Sequence, residues 1–255
     1  MLCFRFYIIS YFVFCFHILM RNLFFKYKKG INSLIFVTGD KHGQIEYFFE
    51  NSIIRKIKKK DILIVCGDFG FLWNRSKQEY KNLQWLSKRR YTIAFVEGCN
   101  DNISMINEYP VSFWNGGKVH FISKNIVHLI QGELYEIEGK KVLAFGGGFD
   151  SNLSDDFENN NWWPESFTSK QCIDDLIKNI EKANAQIDFI ISHEAPTAIT
   201  PCLEEGFKRA NAINSILEEI RLHCNFKRWF LGKYHKDKRI SPKFHLVFED
   251  VVKID

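Results

Sequence analysis

Two carboxylates, three imidazoles and a thiol stand just past the ends of short apolar runs in this chain of 255 residues. Asp40 and His42 follow the run 34–38, Asp68 follows 62–66, Cys99 and Asn100 follow 92–96, His193 follows 187–191, and His235 follows 227–231. Carboxylate oxygen and imidazole nitrogen together suit Mn, Fe, Zn or Ni better than Ca. A lone Asp after Gly is usually a turn or cap residue, and a lone His is more often a satisfied core residue than a ligand. The signal lies in their joint occurrence, because open α/β sheets place their sites at the carboxyl ends of strands.

The elements that must position these residues follow from the apolar pattern. Between the first two runs, 44–60 reads as a helix with apolar residues at Ile45, Phe48, Phe49, Ile53 and Ile57. Helices are also expected at 79–89, 170–183 and 210–223, and strands at 126–130, 133–137 and 141–145, with 244–252 closing the chain. Strand, polar loop, helix, strand is the order of an α/β layered fold, and the hairpin-like segments around the middle suggest two packed sheets with helices outside.

Composition fits one ordinary globular core. Hydrophobic residues make up 46% and aromatics 16%, enough to bury a core without disulfides or metals as staples. The net charge of +5 does not compel a nucleic-acid footprint, and the basic runs 56–60 and 236–239 read as solvated faces. Seven cysteines with no C-x-x-C pair fit neither a disulfide framework nor a zinc knuckle, which points to a reducing compartment, the cytoplasm.

Residues 6–20 are apolar except for Tyr7, Ser10, Tyr11 and His17, and Arg21, Lys26, Lys28 and Lys29 follow. Fifteen residues fall short of the roughly 20 that span a bilayer. We read 1–30 as an extension ahead of a domain at 31–255, with a start near Met20 as one account and a membrane anchor facing the cytoplasm as the other. Any membrane association is expected only through residues 1–29.

The blocks Gly39-Asp40-Lys41-His42-Gly43, Gly67-Asp68-Phe69-Gly70, Glu97-Gly98-Cys99-Asn100-Asp101-Asn102, Ser192-His193 and Gly232-Lys233-Tyr234-His235 resemble, in this order, those of calcineurin-like metallophosphoesterases. The resemblance runs from about residue 34 to the carboxyl terminus. It is closest to a bacterial and phage-type branch at Phe71-Leu72-Trp73, Trp114-Asn115-Gly116-Gly117-Lys118-Val119, Gly146-Gly147-Gly148, Trp162-Trp163-Pro164-Glu165 and His193-Glu194-Ala195-Pro196.

That resemblance implies a four-layer α/β/β/α sandwich of two mixed sheets, and hydrolysis of a phosphate monoester or diester with two divalent metal ions. It implies that Asp40, His42 and His235 hold the first ion, that Asp68 bridges both, and that His193 serves the second. Small phosphate esters or nucleotides are the implied substrates, with weaker support for nucleic acid.

The chain departs from the family at three positions. Cys99 and Asn100 stand where the family has Asn and His, and Lys233 stands where it has a His ligand. A charged ammonium offers no lone pair, so the second ion keeps Asp68 and His193, with the Cys99 thiolate as a further candidate, and one ion in place of two is an open alternative. Asn100 can bind a phosphate but cannot protonate a leaving group, a loss typically of about 10²- to 10⁴-fold in rate. Asp68 and Asn100 are thus the catalytic candidates, and Asn100 and Lys233 the substrate-binding ones. Lys233 either replaces the charge of the second ion or marks decay, and in the latter case the protein is a binding module for a phosphorylated ligand or a partner. Trp162 and Trp163 line a cleft or pack as a lid, while His120, His128, His223 and His245 are left as ordinary histidines.

Overall fold

Short, continuously apolar strands such as Ile-Leu-Ile-Val-Cys at 62–66 can be satisfied only where both faces are covered, and the structure covers them. The computed structural model describes residues 33–148, 168–203 and 210–255. The extension 1–30 and the Trp162–Trp163 loop lie outside the described residues.

Among the described residues the first sheet has seven strands. Its centre is β1 (Ile35–Thr38), β2 (Ile62–Cys66), β3 (Thr92–Val96) and β6 (Ile126–Leu129), all parallel, with Val37 beside Ile64 and Ile64 beside Ala94. The antiparallel strands β5 (Gly117–Ser123) and β4 (Val111–Trp114) extend one side, and β13 (Val252–Ile254) closes the other. Among the described residues the second sheet has six strands: β7 (Leu134–Ile137), β8 (Lys140–Phe145), β9 (Gln186–Ser192), β10 (Asn225–Leu231), β12 (Phe244–Leu246) and β11 (Lys238–Arg239). Strands β8, β9, β10 and β12 run parallel.

Strand alternation sorts the side chains into three cores. Val37, Ile64, Val96, Val142 and Phe230 meet between the sheets. On the outer face of the first sheet, Phe36, Leu63 and Phe95 pack against α1 (Ile45–Glu50), α2 (Lys77–Leu86) and α3 (Ile103–Asn107) through Phe48, Leu86 and Ile106. On the outer face of the second, Leu143, Phe145 and Trp229 meet Leu176 of α4 (Lys170–Lys182) and Leu217 of α5 (Ala212–His223). The result is the four-layer α/β/β/α sandwich of two mixed sheets.

Three of the departures from the sequence expectation have a local reason. The helix expected over 44–60 ends at Glu50, because the Asn51 side chain accepts the N–H groups of Ile53 and Ile54 and starts a 3-10 turn at Ile54–Lys56. The run 244–252 is two strands in different sheets, since the Asp237 carboxylate accepts the N–H groups of Phe248, Glu249 and Asp250 and bends the chain between them. The β4–β5 hairpin, not expected as strands, turns on Asn115-Gly116, both at positive φ (49° and 90°), the conformation an Asn-Gly hairpin turn requires. No helix among the described residues is long and apolar enough to cross a membrane.

Candidate metal centre

The parallel strands of both sheets end along one edge, and the loops that leave them are laced together by backbone hydrogen bonds. Lys41 and His42, after β1, both donate their N–H groups to the Asp68 carbonyl after β2, at 2.9 and 2.8 Å. The buried Asp101 carboxylate accepts the N–H groups of Phe69, Gly70 and Gly98, which ties the loop after β2 to the loop after β3. Burial, then the neighbouring charge on Asp68, pushes the Asp101 carboxyl up to about 6.

Gly67 and Gly232 let these loops approach where no side chain fits. Gly67 lies at φ +92°, and a Cβ there would sit 2.2 Å from Nδ1 of His193. A Cβ on Gly232 would sit 2.4 Å from Oδ1 of Asp40. Four non-glycine residues at the same edge, His42, Asp68, Lys233 and His235, also hold positive φ. Such backbone costs on the order of 1–3 kcal/mol each and clusters at sites where aim matters more than stability.

Six sequence-predicted residues come together in two groups. Asp40, His42 and His235 form one, and Asp68, Cys99 and His193 the other, with one ligand atom from each residue inside 4.8 Å of the rest of its group. Asp68 spans both: Oδ2 lies 3.8 Å from Nδ1 of His42, and Oδ1 lies 3.7 Å from Nε2 of His193.

The first group fits a cation. Oδ2 of Asp40 is buried without a hydrogen bond among the described residues, with Nε2 of His235 3.2 Å away. Nε2 of His42 and Nε2 of His235 face each other at 2.9 Å, two atoms that can share one hydrogen or turn both lone pairs on a single cation. Burial alone would raise the Asp40 carboxyl, but the His193 charge, the contacts with His193 and His235 and the Lys233 N–H hold it far below the usual carboxylate range.

The second group is more buried and softer. His193 is fully buried, with Nδ1 3.1 Å from the Cys66 carbonyl and Nε2 3.5 Å from Sγ of Cys99. Burial opposes its protonation, yet the Asp68 and Asp40 carboxylates outweigh burial and raise its pKa well above the ordinary value. Burial raises the Cys99 thiol, so this group gathers a thiol and an imidazolium around Asp68, both of which must release protons to bind an ion.

Asn100 lies against Asp68, its N–H and its side-chain amide each donating to that carboxylate at 2.8 Å. Lys233 is only half inside: its N–H donates to Asp40 at 2.9 Å, while its ammonium turns to the buried Glu194 carboxylate. Glu194 is further held by Asn211, the N-cap of α5, and by Asn214 in its first turn, at 3.2 and 3.0 Å.

Sequence reasoning gave no role to Asp101, Glu194 or Lys41. The ammonium of Lys41 is buried, donates to the Phe248 carbonyl at 2.5 Å and lies 3.4 Å from the centre of the Tyr47 ring. The only available signal was their place inside the quoted blocks. His128, left as ordinary, is buried with Nε2 2.8 Å from Glu97, behind the loop that carries Cys99.

A two-sheet sandwich that presents oxygen, nitrogen and sulfur donors from the ends of its parallel strands is the architecture of a metal-dependent esterase. Residues 33–228 match the family model of the calcineurin-like phosphoesterases, and the chain belongs to that family. No curated protein matches it.

Proposed function

We propose that the protein is a metal-dependent phosphoesterase, cleaving a phosphate monoester or diester with water, at a rate reduced by the residues at 99, 100 and 233. The observation that carries this reading is the Asp68 carboxylate, set between two separate groups of ligand atoms. Asp40, His42, Asp68 and His235 would hold the first ion, and Asp68, His193 and Cys99 the second. Mn, Fe, Zn or Ni suits this mixture of donors. When bound, such ions supply positive charge to the phosphate oxygens and lower the pKa of an attacking water.

The chain's own residues do the rest. Asn100 offers an amide N–H to a phosphate oxygen while keeping Asp68 oriented through its backbone N–H. Lys233 can add charge at the phosphate only by exchanging its bond to Glu194, so its contribution is largely offset. No group at position 100 can donate a proton to the leaving oxygen, which favours esters whose leaving groups depart without one.

A cleft of about 380 Å³ opens beside His42 and Asn100, lined also by Trp73, Asn74, Gln78, Asn82 and Glu79, whose carboxylate accepts the Asn74 N–H. Amides and one indole suit a neutral hydrogen-bonding group on the substrate, and the base of a nucleotide meets that description. The five described cysteines are unpaired, which supports a reducing compartment and a cytoplasmic site of action.

The second reading is a binding module that has lost catalysis. It is favoured by one observation, the Lys233 ammonium pairing with Glu194 where the family places an imidazole ligand. Metal content of the purified protein, with hydrolysis of aryl phosphate monoester and diester under added Mn²⁺, separates the two. Metal and turnover in the wild type, both lost in Asp68→Ala, support the enzyme. Neither metal nor turnover in the wild type leaves the binding module.

A further inference from the structure

The opposite edge of the first sheet carries a concentration of charge. Residues 55–60 contribute five cations, 88–90 contribute three and Lys124 one, with no Asp or Glu in those segments. These segments lead into β2, β3 and β6, whose amino ends are aligned, Ile62 with Thr92 and Ile93 with Ile126. Folding therefore gathers at one edge what the sequence scatters over seventy residues. The nine exceed the chain's net charge of +5, so the remainder of the protein is net negative.

This edge is built as a surface. Lys59, Lys88, Arg89, Arg90 and Lys124 line one cleft of about 580 Å³. Among the described residues none of the nine cations forms an ion pair with a carboxylate. The nearby Asp61 is buried, its carboxylate taken by the N–H groups of Leu34 and Lys58. The guanidinium of Arg89 lies 3.8 Å over the Trp85 ring, and the Phe49 ring meets Trp85 in a T-shaped contact at 5.8 Å between centroids. Phe49 and Ile53 remain 44% and 41% exposed, so apolar groups border the cations.

We propose that this edge docks on the anionic surface of a lipid bilayer. Two observations select a membrane over nucleic acid. The patch pairs cations with exposed Phe49 and Ile53, which suit the boundary between headgroups and acyl chains. The sequence ahead of β1 carries the apolar residues 6–20 followed by Arg21, Lys26, Lys28 and Lys29. An apolar segment plus a polybasic surface is the two-signal arrangement that gives stable attachment where either alone is weak. The metal-ligand groups, at the carboxyl ends of the same strands, would then face away from the bilayer.

The test is co-sedimentation of the full chain with phosphatidylcholine vesicles, with and without phosphatidylserine, at low and high salt. Binding should need phosphatidylserine and weaken with salt. The charge reversal Lys59→Glu/Lys88→Glu/Arg90→Glu/Lys124→Glu should weaken it at least about 100-fold, since each cation near an anionic leaflet contributes about fivefold. The neutralised form Lys58→Gln/Lys60→Gln/Lys124→Gln, gentler on the fold, should lose about 10- to 100-fold. Arg89 is left intact because it packs on Trp85. Equal binding with and without phosphatidylserine, or unchanged binding by the neutralised form, would overturn the proposal. So would patch-dependent capture of duplex DNA without phosphatidylserine dependence, which would assign the edge to nucleic acid.

Discussion

The ammonium of Lys233, at the carboxyl end of β10, bonds the carboxylate of Glu194, at the carboxyl end of the adjacent β9. Glu194 is 2% exposed and is also held by the amides of Asn211 and Asn214 at the start of α5, so its charge is compensated only inside the protein. Removing one partner of such a pair leaves a buried charge without its counterion. Lys233→Met should therefore cost about 3 kcal/mol of stability, and Lys233→Met/Glu194→Gln should recover most of it. Urea unfolding of both variants checks this, and equal stability of the single and double variants would remove the pair from the account.

Gly67 sits where two loops meet. Gly67→Ala would put a methyl group 2.2 Å from Nδ1 of His193 and hold an L residue at φ +92°. The expected loss is about 3 kcal/mol or more, together with weaker binding of the ion assigned to His193. Metal titration beside thermal unfolding measures both effects. Wild-type values for the two would mean that the loops are not held at this distance.

Restoring the family residues together, Cys99→Asn, Asn100→His and Lys233→His, should raise hydrolysis about 100-fold or more by supplying a proton donor and a further ligand. Steady-state rates on an aryl phosphate monoester test it. A restored protein that binds two ions yet stays inert would contradict the roles assigned to these positions.

His120 gives an acid-side prediction. Burial, opposed by its bond to the Tyr109 carbonyl and aided by the neighbouring His128, lowers its pKa below the ordinary value. The fold therefore favours the neutral ring, and the unfolded chain binds the extra proton first as pH falls through about 6.5. The stabilisation is complete above that pH and is lost below it. His120→Gln should narrow the difference in unfolding midpoint between about pH 8 and about pH 5. A difference as wide as the wild type's would show that His120 is not responsible.

Much of the candidate site was legible because its chemistry is local. Asp40, Asp68 and His193 each follow an apolar run directly, and a parallel strand buried on both faces must end in a loop at the sheet edge. The helix over 44–60 was misread because periodicity continues through Ile53 and Ile57, while the competing bonds of the Asn51 side chain leave no periodic mark. The β4–β5 hairpin was missed although its Asn115-Gly116 dipeptide is a hairpin-turn signal.

By itself the sequence determined which residue types end each strand, and hence a layered α/β chain carrying oxygen, nitrogen and sulfur donors in a fixed order. The tertiary structure decided which of them meet. His42 and His235 are 193 positions apart and face each other at 2.9 Å because β1 and β10 lie in different sheets packed with their ends together. The same packing turned the Lys233 ammonium to Glu194 and collected nine dispersed cations at the far edge, relations between side chains that only the pairing of strands can set.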